Sequence, residues 1–495
     1  MTKSAVSAKM SCCYALSSLL KGMVSYPSST AYAESLASYF TLQQADIHPE
    51  CIVSPKTAHD VSQIIQVVTG GHSQTPCSFA VRSGGHSTNA GASNIQGGVT
   101  IDLRGLDSIE LNHDKSIVTI GSGTTWGSLY SYLDPLSLGV VGGRSYSVGV
   151  GGVITGGGIS YFSPRYGWAC DTVVNFEVVL ANGSIINAND RQNTDLLWAL
   201  RGGTNNFGIV TRMELLSFSQ GELWGGNSIH AVSTKDQEIA ALAKFSSGLY
   251  DEYASLIGTF RYDETGPSII NSIEYTKLVK HPRVFQEFLQ IPALNITLGV
   301  TNMTSLSSGT EAMQMIGERH VFRQLHTSQA ANYFSRSSYA TVTICPTIEA
   351  INATVRAWNE SLMMIQDVAD IAWALSLEPL PPSIYLRHAE NNALGLKDRD
   401  KKALMVVLLS VTWSDIEDDS RVTWAMKSLI STIELDVGRL KSLDPYLYLN
   451  YAAAWQNPIR SYGRSNLDRL AKVRMEYDPG NVFTDYVPGG FKIPG

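Results

Sequence analysis

Charge is scarce in this chain. Asp, Glu, Lys and Arg make up 16% of its 495 residues, and the acids outnumber the bases to leave a net charge of −7. That balance gives no electrostatic footprint for nucleic acid or an anionic membrane surface. No run of about 18 apolar residues occurs, so no segment reads as a membrane-spanning helix. A Gly-x-Ser-x-Gly nucleophile elbow is absent, which excludes the common serine-hydrolase arrangement. No His, Cys, Asp or Glu cluster has metal-ligand spacing, and no metal is expected. Gly149-x-Gly151-Gly152 lacks both the helix-opening third glycine and the acidic residue about 20 positions on that a dinucleotide fingerprint needs. Met1 to Met10 contains lysine but no apolar run of about 7–15 residues, so no signal peptide is visible.

What is present describes a globular protein of more than one core. A chain of this length with 44% hydrophobic residues is expected to fold as two domains or one large bipartite one. Of six cysteines, Cys12, Cys13, Cys51 and Cys77 precede His86, a density that suggests disulfide stapling in an oxidising compartment. Five Asn-x-Ser/Thr sequons, at Asn182, Asn295, Asn302, Asn352 and Asn359, fit a secretory route. Secretion is therefore the expectation, with an intracellular location left open, and the assembly is expected to be a monomer or homodimer.

Periodicity divides the chain into three textures. Apolar residues at helical spacing from Thr57 to Val68 predict a helix opened at Ser54-Pro55, followed by a strand at Phe79-Ala80-Val81. Strands are expected at Val99–Leu103, Ile117–Ile120, Val173–Leu180 and Ile209–Leu216, with helices at Trp126–Leu133 and Asp195–Arg201. After about Phe218 the glycine clusters cease. Amphipathic stretches (Asp236–Tyr250, Pro282–Leu289, Thr347–Ile365, Asp419–Leu440) alternate with strand-like runs (Leu256–Tyr262, Ser268–Thr276, Leu404–Thr412). A third texture begins near Tyr446. Alternating strands and helices of this length argue for α/β or α+β packing, of which α+β is the expected fold class.

The glycine clusters carry the chemistry. Arg82-Ser83-Gly84-Gly85-His86-Ser87 lets the backbone approach a large ligand closely and then presents a single His. It is followed by Gly142-Gly143, Gly149-Val150-Gly151-Gly152, Gly156-Gly157-Gly158, Gly167-Trp168-Ala169-Cys170-Asp171, Arg201-Gly202-Gly203 and Asn206-Phe207-Gly208-Ile209-Val210. Any one cluster reads as a tight turn. In this order, and with Tyr448-x-Asn450-Tyr451 and Tyr477-Asp478-Pro479-Gly480-Asn481 near the end, they resemble the berberine-bridge-type branch of the vanillyl-alcohol-oxidase flavoproteins, especially fungal members.

The resemblance implies a two-part PCMH-type FAD-binding domain, 1–216 and 441–495, with an inserted substrate domain, 217–440, of mixed or antiparallel sheet backed by helices. It implies FAD bonded covalently through His86. Relatives with a second link carry a Cys where this chain has Ser145, and a hydroxyl forms no thioether, so a single linkage is expected. The cofactor contacts implied are Arg82 to Ser87, Ser145, Val148, Gly149, Gly151, Gly152, Gly157, Gly158, Cys170, Asp171, Gly208, Ile209, Val210 and Asn450. Cys170 and Cys345 are read as packed thiols rather than links. An N-terminal cysteine bridges to one shortly before the His motif in that family, which points to Cys12 or Cys13 with Cys77. Val148 matches a position where a small valine admits dioxygen, which implies an oxidase.

Hydride transfer from an alcohol or amine needs a base for the accompanying proton. Three positions depart from the better-known relatives: Thr88 stands where a Tyr is frequent, Leu408 where plant members carry an acid or amide five residues before Trp413, and Val153 where a His is frequent. What remains is Tyr448, matching an active-site Tyr; Tyr451; and His388, beside Tyr385 and Arg387 in the middle region. A phenol serves as base where a cation lowers its pKa; otherwise such residues are core aromatics. The expected function is FAD-dependent oxidation of a small, rather apolar secondary metabolite, with dioxygen as the second substrate. A carbohydrate oxidase and a flavin-containing isomerase or cyclase are the alternatives, and a flavin-storage protein is a third.

Overall fold

The computed structural model describes residues 12–70, 76–248, 250–314 and 335–494, so the signal-peptide reading of Met1 to Met10 falls outside the described residues. Its first layer is a four-stranded sheet in the order Val24–Ser25, Cys51–Val53, Val99–Asp102, Phe79–Arg82, in which the last three run parallel. The helix Ala58–Val68 covers it with Val61, Ile64, Ile65 and Val68, all fully buried. Thr57 rather than Ser54-Pro55 opens that helix. Its hydroxyl accepts the Asp60 N–H (3.1 Å) while the Asp60 carboxylate accepts the Thr57 N–H (2.9 Å), a reciprocal cap that satisfies two end groups. Two disulfides, Cys12–Cys77 and Cys13–Cys51, pin the N-terminal segment to this layer, while Cys170 and Cys345 are free thiols.

A five-stranded antiparallel sheet follows, ordered Ile109–Leu111, Ile117–Gly121, Ile209–Leu216, Val173–Val179, Ile185–Asn189. The end of the chain folds back on the first layer. Phe483 meets Phe79 edge-on at 6.2 Å, the Phe79 N–H donates to the Tyr486 carbonyl (2.7 Å), and the Asp478 carboxylate accepts the N–H groups of Val482 and Phe483.

Between these parts lies a nine-stranded sheet whose pairings are all antiparallel, drawn from residues 223 to 444. Helices Lys235–Ser247, Ile348–Ser361 and Asp419–Arg439 pack on one face through Leu242, Ile351, Trp358, Val422 and Leu429. Strand alternation puts Met405, Val407, Leu409 and Val411 into that core and leaves Leu408, Ser410 and Thr412 facing the other way. Sequence periodicity finds only part of this sheet. Leu223–Ala231 carries Gly225-Gly226, Arg336–Ile344 is polar on its open face, and Ala372–Leu380 holds Pro379, so none shows a clean strand pattern.

Candidate active site

A cavity of about 510 Å³ separates the open face of the large sheet from the glycine loops. Ser83 to Asn89, Gly143 to Ser145, Val148, Gly149, Gly151 to Val153, Gly208 to Val210 and Tyr448 to Ala452 contribute to one side. Thr259, Arg261, Ser376, Glu378, Leu408 and Ser410 are on the other.

Two glycine loops meet back to back at this wall. A Cβ on Gly84 would stand 2.4 Å from the Gly149 nitrogen, and one on Gly149 would stand 2.3 Å from the Gly84 nitrogen. The sequence reading assigns these glycines to ligand approach; they also let one loop touch the other. Gly152 differs: a Cβ there meets no protein atom within 4 Å, and the residue faces the cavity. Ser83 fastens the loops, donating to the Ser122 carbonyl (2.6 Å) and accepting the Gly151 N–H (3.3 Å). Arg82 lies behind the wall. Its guanidinium stacks 3.7 Å from the Tyr39 ring and donates to the carbonyls of Ser35 and Ser38, so it braces the loop.

His86 is on the wall, stacked on Phe40 at 4.5 Å, with Nε2 2.8 Å from Ser147 Oγ. Burial, helped by the Arg82 charge, pulls its pKa down to about 4, so the imidazole is neutral at physiological pH. The Ser147 N–H donates to Glu311 (2.8 Å).

Tyr448, Asn450 and Tyr451 converge on the cavity through the turn Leu449–Tyr451. The Tyr448 hydroxyl accepts the Ile159 N–H (3.0 Å) and the Asn450 amide (3.1 Å), and Asn450 also donates to the Val153 carbonyl. Tyr451 donates to Glu378 Oε2 (3.1 Å) and accepts from Arg144, which also grips Glu378 in a two-point ion pair. Neither phenol has the lowered pKa that a free phenolate base would need. Burial pushes Tyr448 up to about 12 and Tyr451 well above its ordinary value, and the nearby Arg144 charge does not offset it.

A carboxylate also lines the cavity, Glu378. Leu408 does line the cavity, as do Thr88 and Val153, but an acid stands on the neighbouring strand. Counting back from Trp413 along one strand could not reveal it. The available signal was a lone Glu in the apolar run Leu375 to Leu380. Arg144 was equally legible as the cation next to Ser145.

Other candidates are placed away from the cavity. His388 does not line it; its ring lies against Gly167, its carbonyl accepts the Asn391 N–H, and burial beside Arg387 lowers its pKa. Tyr385 donates to the Lys402 carbonyl and Arg387 to those of Ser383 and Pro164. Cys170, Asp171, Gly157 and Gly158 also lie off the lining. The Asp171 carboxylate, raised to about 6 by burial, accepts the Trp168 N–H and the Asn392 amide, and thereby holds the bend behind the wall. The Cys170 thiol is buried and pushed well up, in keeping with a packed core role.

An FAD suits this lining. The wall offers Gly152 as open space, and Ser93 and Ser122, also on the wall, have hydroxyls with no hydrogen-bond partner.

Comparison with known proteins agrees. The FAD binding domain family matches residues 49–189, and the berberine and berberine-like family matches residues 447–486. The chain is 34% identical to the FAD-dependent monooxygenase CTB5 of Cercospora beticola, over 99% of this chain and 93% of that protein. It is 40% identical to a protein named Oligopeptidase PhomG' of Diaporthe leptostromiformis, over 95% of this chain but only 36% of that protein's length. Two solved structures share the fold. One is 6-hydroxy-D-nicotine oxidase from Arthrobacter nicotinovorans, at a TM-score of 0.76, 20% identity, and coverage of 96% of this chain and 98% of that one. The other is glucooligosaccharide oxidase from Acremonium strictum, described with a 6-S-cysteinyl, 8α-N1-histidyl FAD, at 0.76, 18% identity, and coverage of 98% and 100%.

Proposed function

The chain belongs to the berberine-bridge-like FAD-linked oxidoreductases, and on that premise we propose that it is an oxidase that takes hydride from a small organic substrate. A bound flavin supplies the two-electron acceptor, and dioxygen restores it with release of hydrogen peroxide. His86 would hold that flavin by a single covalent bond, since Ser145 offers no thiol for a second, and Gly84, Gly149, Gly152 and Asn450 would flank it.

The observation that carries this reading is the Tyr451–Glu378–Arg144 cluster in the same cavity as His86. Tyr451 is protonated at neutral pH, so it acts as a relay. As hydride leaves, the substrate O–H proton passes to the Tyr451 oxygen while the Tyr451 proton moves to Glu378. Arg144 donates to both oxygens and steadies the charge that crosses between them. Near Glu378 the wall carries the short side chains Ala372, Ala374 and Ser376, which leave room for a flat substrate.

Carbohydrate oxidation is the second reading, favoured by Glu378 and by the hydroxyls of Thr259, Ser376, Ser410 and Thr412 on the same wall. A non-redox isomerase or cyclase is the third reading, and a proton acceptor at Glu378 weighs against it. Two disulfides and five exposed sequon asparagines support passage through a secretory route.

Anaerobic addition of oligosaccharides and, separately, of phenolic or polyketide-like alcohols tests the proposal. Bleaching of the flavin followed by stoichiometric peroxide on admitting air is expected for one panel. Product formation without bleaching or peroxide would instead establish a non-redox role.

A further inference from the structure

Ser147 holds a position that the proposed reaction does not use. Its Oγ is 2.8 Å from Nε2 of His86, its N–H is tied to Glu311 on the helix Met303–Gln314, and Phe40 stacks on the imidazole. The ring is thus held in place, and Nε2 faces a hydroxyl that can accept from it or donate to it. Its other nitrogen, Nδ1, makes no hydrogen bond among the described residues.

We propose that Ser147 is the positioning residue for flavin attachment: it holds Nε2 of His86 so that Nδ1 stays free to bond the flavin 8α carbon, and its hydroxyl partners Nε2 both before and after that bond forms. This assignment rests on the proposed His86 linkage. In the net step a C–N bond forms as one C–H bond of the 8α-methyl group and one imidazole N–H bond break. The electron pair is taken by dioxygen, and both hydrogens end on hydrogen peroxide, so atoms and electrons balance with dioxygen as oxidant. The Nε2 position changes sense in that step. Before it, Nε2–H donates to Ser147 Oγ; afterwards Nε2 carries a lone pair and must accept. A hydroxyl does both by rotating, which neither a carbonyl nor an ammonium can do. Burial keeps the imidazole unprotonated, which removes competition for the Nδ1 lone pair. Glu311 holds the serine backbone by accepting its N–H.

The test is the fraction of flavin that stays with acid-precipitated protein, together with the mass of the His86 peptide, in wild type, Ser147→Ala, Ser147→Thr and His86→Ala. Wild type and Ser147→Thr are expected to hold the flavin in the pellet, and His86→Ala to release it. Ser147→Ala is expected to be yellow as purified, with flavin that washes into the supernatant and becomes bonded about 10- to 100-fold more slowly on incubation in air. Thermal unfolding of Ser147→Ala within a few degrees of His86→Ala separates slow attachment from misfolding. Complete attachment in Ser147→Ala would overturn the assignment while leaving the His86 linkage intact. A wild type whose flavin is released by acid would overturn the linkage and this assignment together.

Discussion

Glu378 faces Val406 across the antiparallel pair in which Ser376 faces Leu408, so Glu378 and Leu408 stand one step apart on the same face of the sheet. The two positions share a face because alternate residues of adjacent strands do. Glu378 reaches the cavity from the strand beside Leu408 and meets Tyr451 there.

Removing the Tyr451 hydroxyl should therefore cost rate rather than cofactor. Tyr451→Phe is expected to bind flavin normally while kcat falls by about 10²- to 10⁴-fold, the range for losing a positioned proton acceptor. Glu378→Gln should lose activity to a similar degree and also unfold earlier. It leaves the buried Arg144 charge uncompensated, which costs about 3–5 kcal/mol for an ion pair broken on one side. Stopped-flow flavin reduction and calorimetry on both variants separate the effects. Wild-type reduction rates in Tyr451→Phe would exclude the relay.

Gly84 and Gly152 make a matched test of where the cofactor lies. In Gly84→Ala the new methyl meets the backbone of Gly149 at under 3 Å, so the two loops must part, and a lower melting temperature together with lost flavin is expected. In Gly152→Ala the methyl meets no protein atom and points at the cavity. That variant should fold with an unchanged flavin-free melting temperature yet retain flavin more weakly. Unimpaired retention there would move the flavin away from this wall.

These two glycines also mark the limit of what the sequence conveys. Cofactor class, the His86 loop and the α+β architecture were legible because they reside in contiguous motifs: a glycine run, a strand before it, a helix capped nearby. The strands Ile209–Leu216 and the helix Trp126–Leu133 fall where periodicity predicts them. Each of Arg144, Glu378 and Tyr451 left some signal of its own, but their meeting was not legible, since they come from three distant segments joined only in the folded chain. His388 shows the converse. A polar residue in a motif-like stretch drew attention, yet packing places it against Gly167, off the cavity. The phenol pKa values could not be read either, because burial, which raises them, is a tertiary property.

The two N-terminal disulfides should stabilise chiefly through the unfolded chain. Cys12–Cys77 and Cys13–Cys51 close loops of 65 and 38 residues, for which loop-closure entropy gives about 4 kcal/mol each. Their loops overlap, so the second bond restricts a chain already restricted, and Cys12→Ser with Cys13→Ser should lose less than the sum of the singles. Denaturant melts of the single and double variants measure this. Full additivity would mean that the two bonds act on independent parts of the unfolded ensemble.

Glu274 offers a pH signature in the polar region beside the cavity. It is fully buried, its Oε1 accepts the Ser272 hydroxyl at 2.5 Å, Oε2 has no partner, and burial raises its pKa to about 8. Arg144 acts to lower that value and Glu378 to raise it further, and the two partly cancel. A carboxyl whose folded pKa is raised is neutral in both states below about 4.5, its unfolded value, and costs nothing there. Between about 4.5 and 8 the unfolded chain releases the proton while the folded protein keeps it, so stability falls as pH rises across that window and levels off above it. Glu274→Gln keeps the Ser272 contact without the titration. It should therefore unfold at a higher temperature than wild type at pH 8, with a gap that narrows steadily and closes near pH 4. A gap that is constant with pH would mean that Glu274 is ionised in the folded protein, and that Arg144 divides its charge between two carboxylates rather than serving Glu378 and Tyr451.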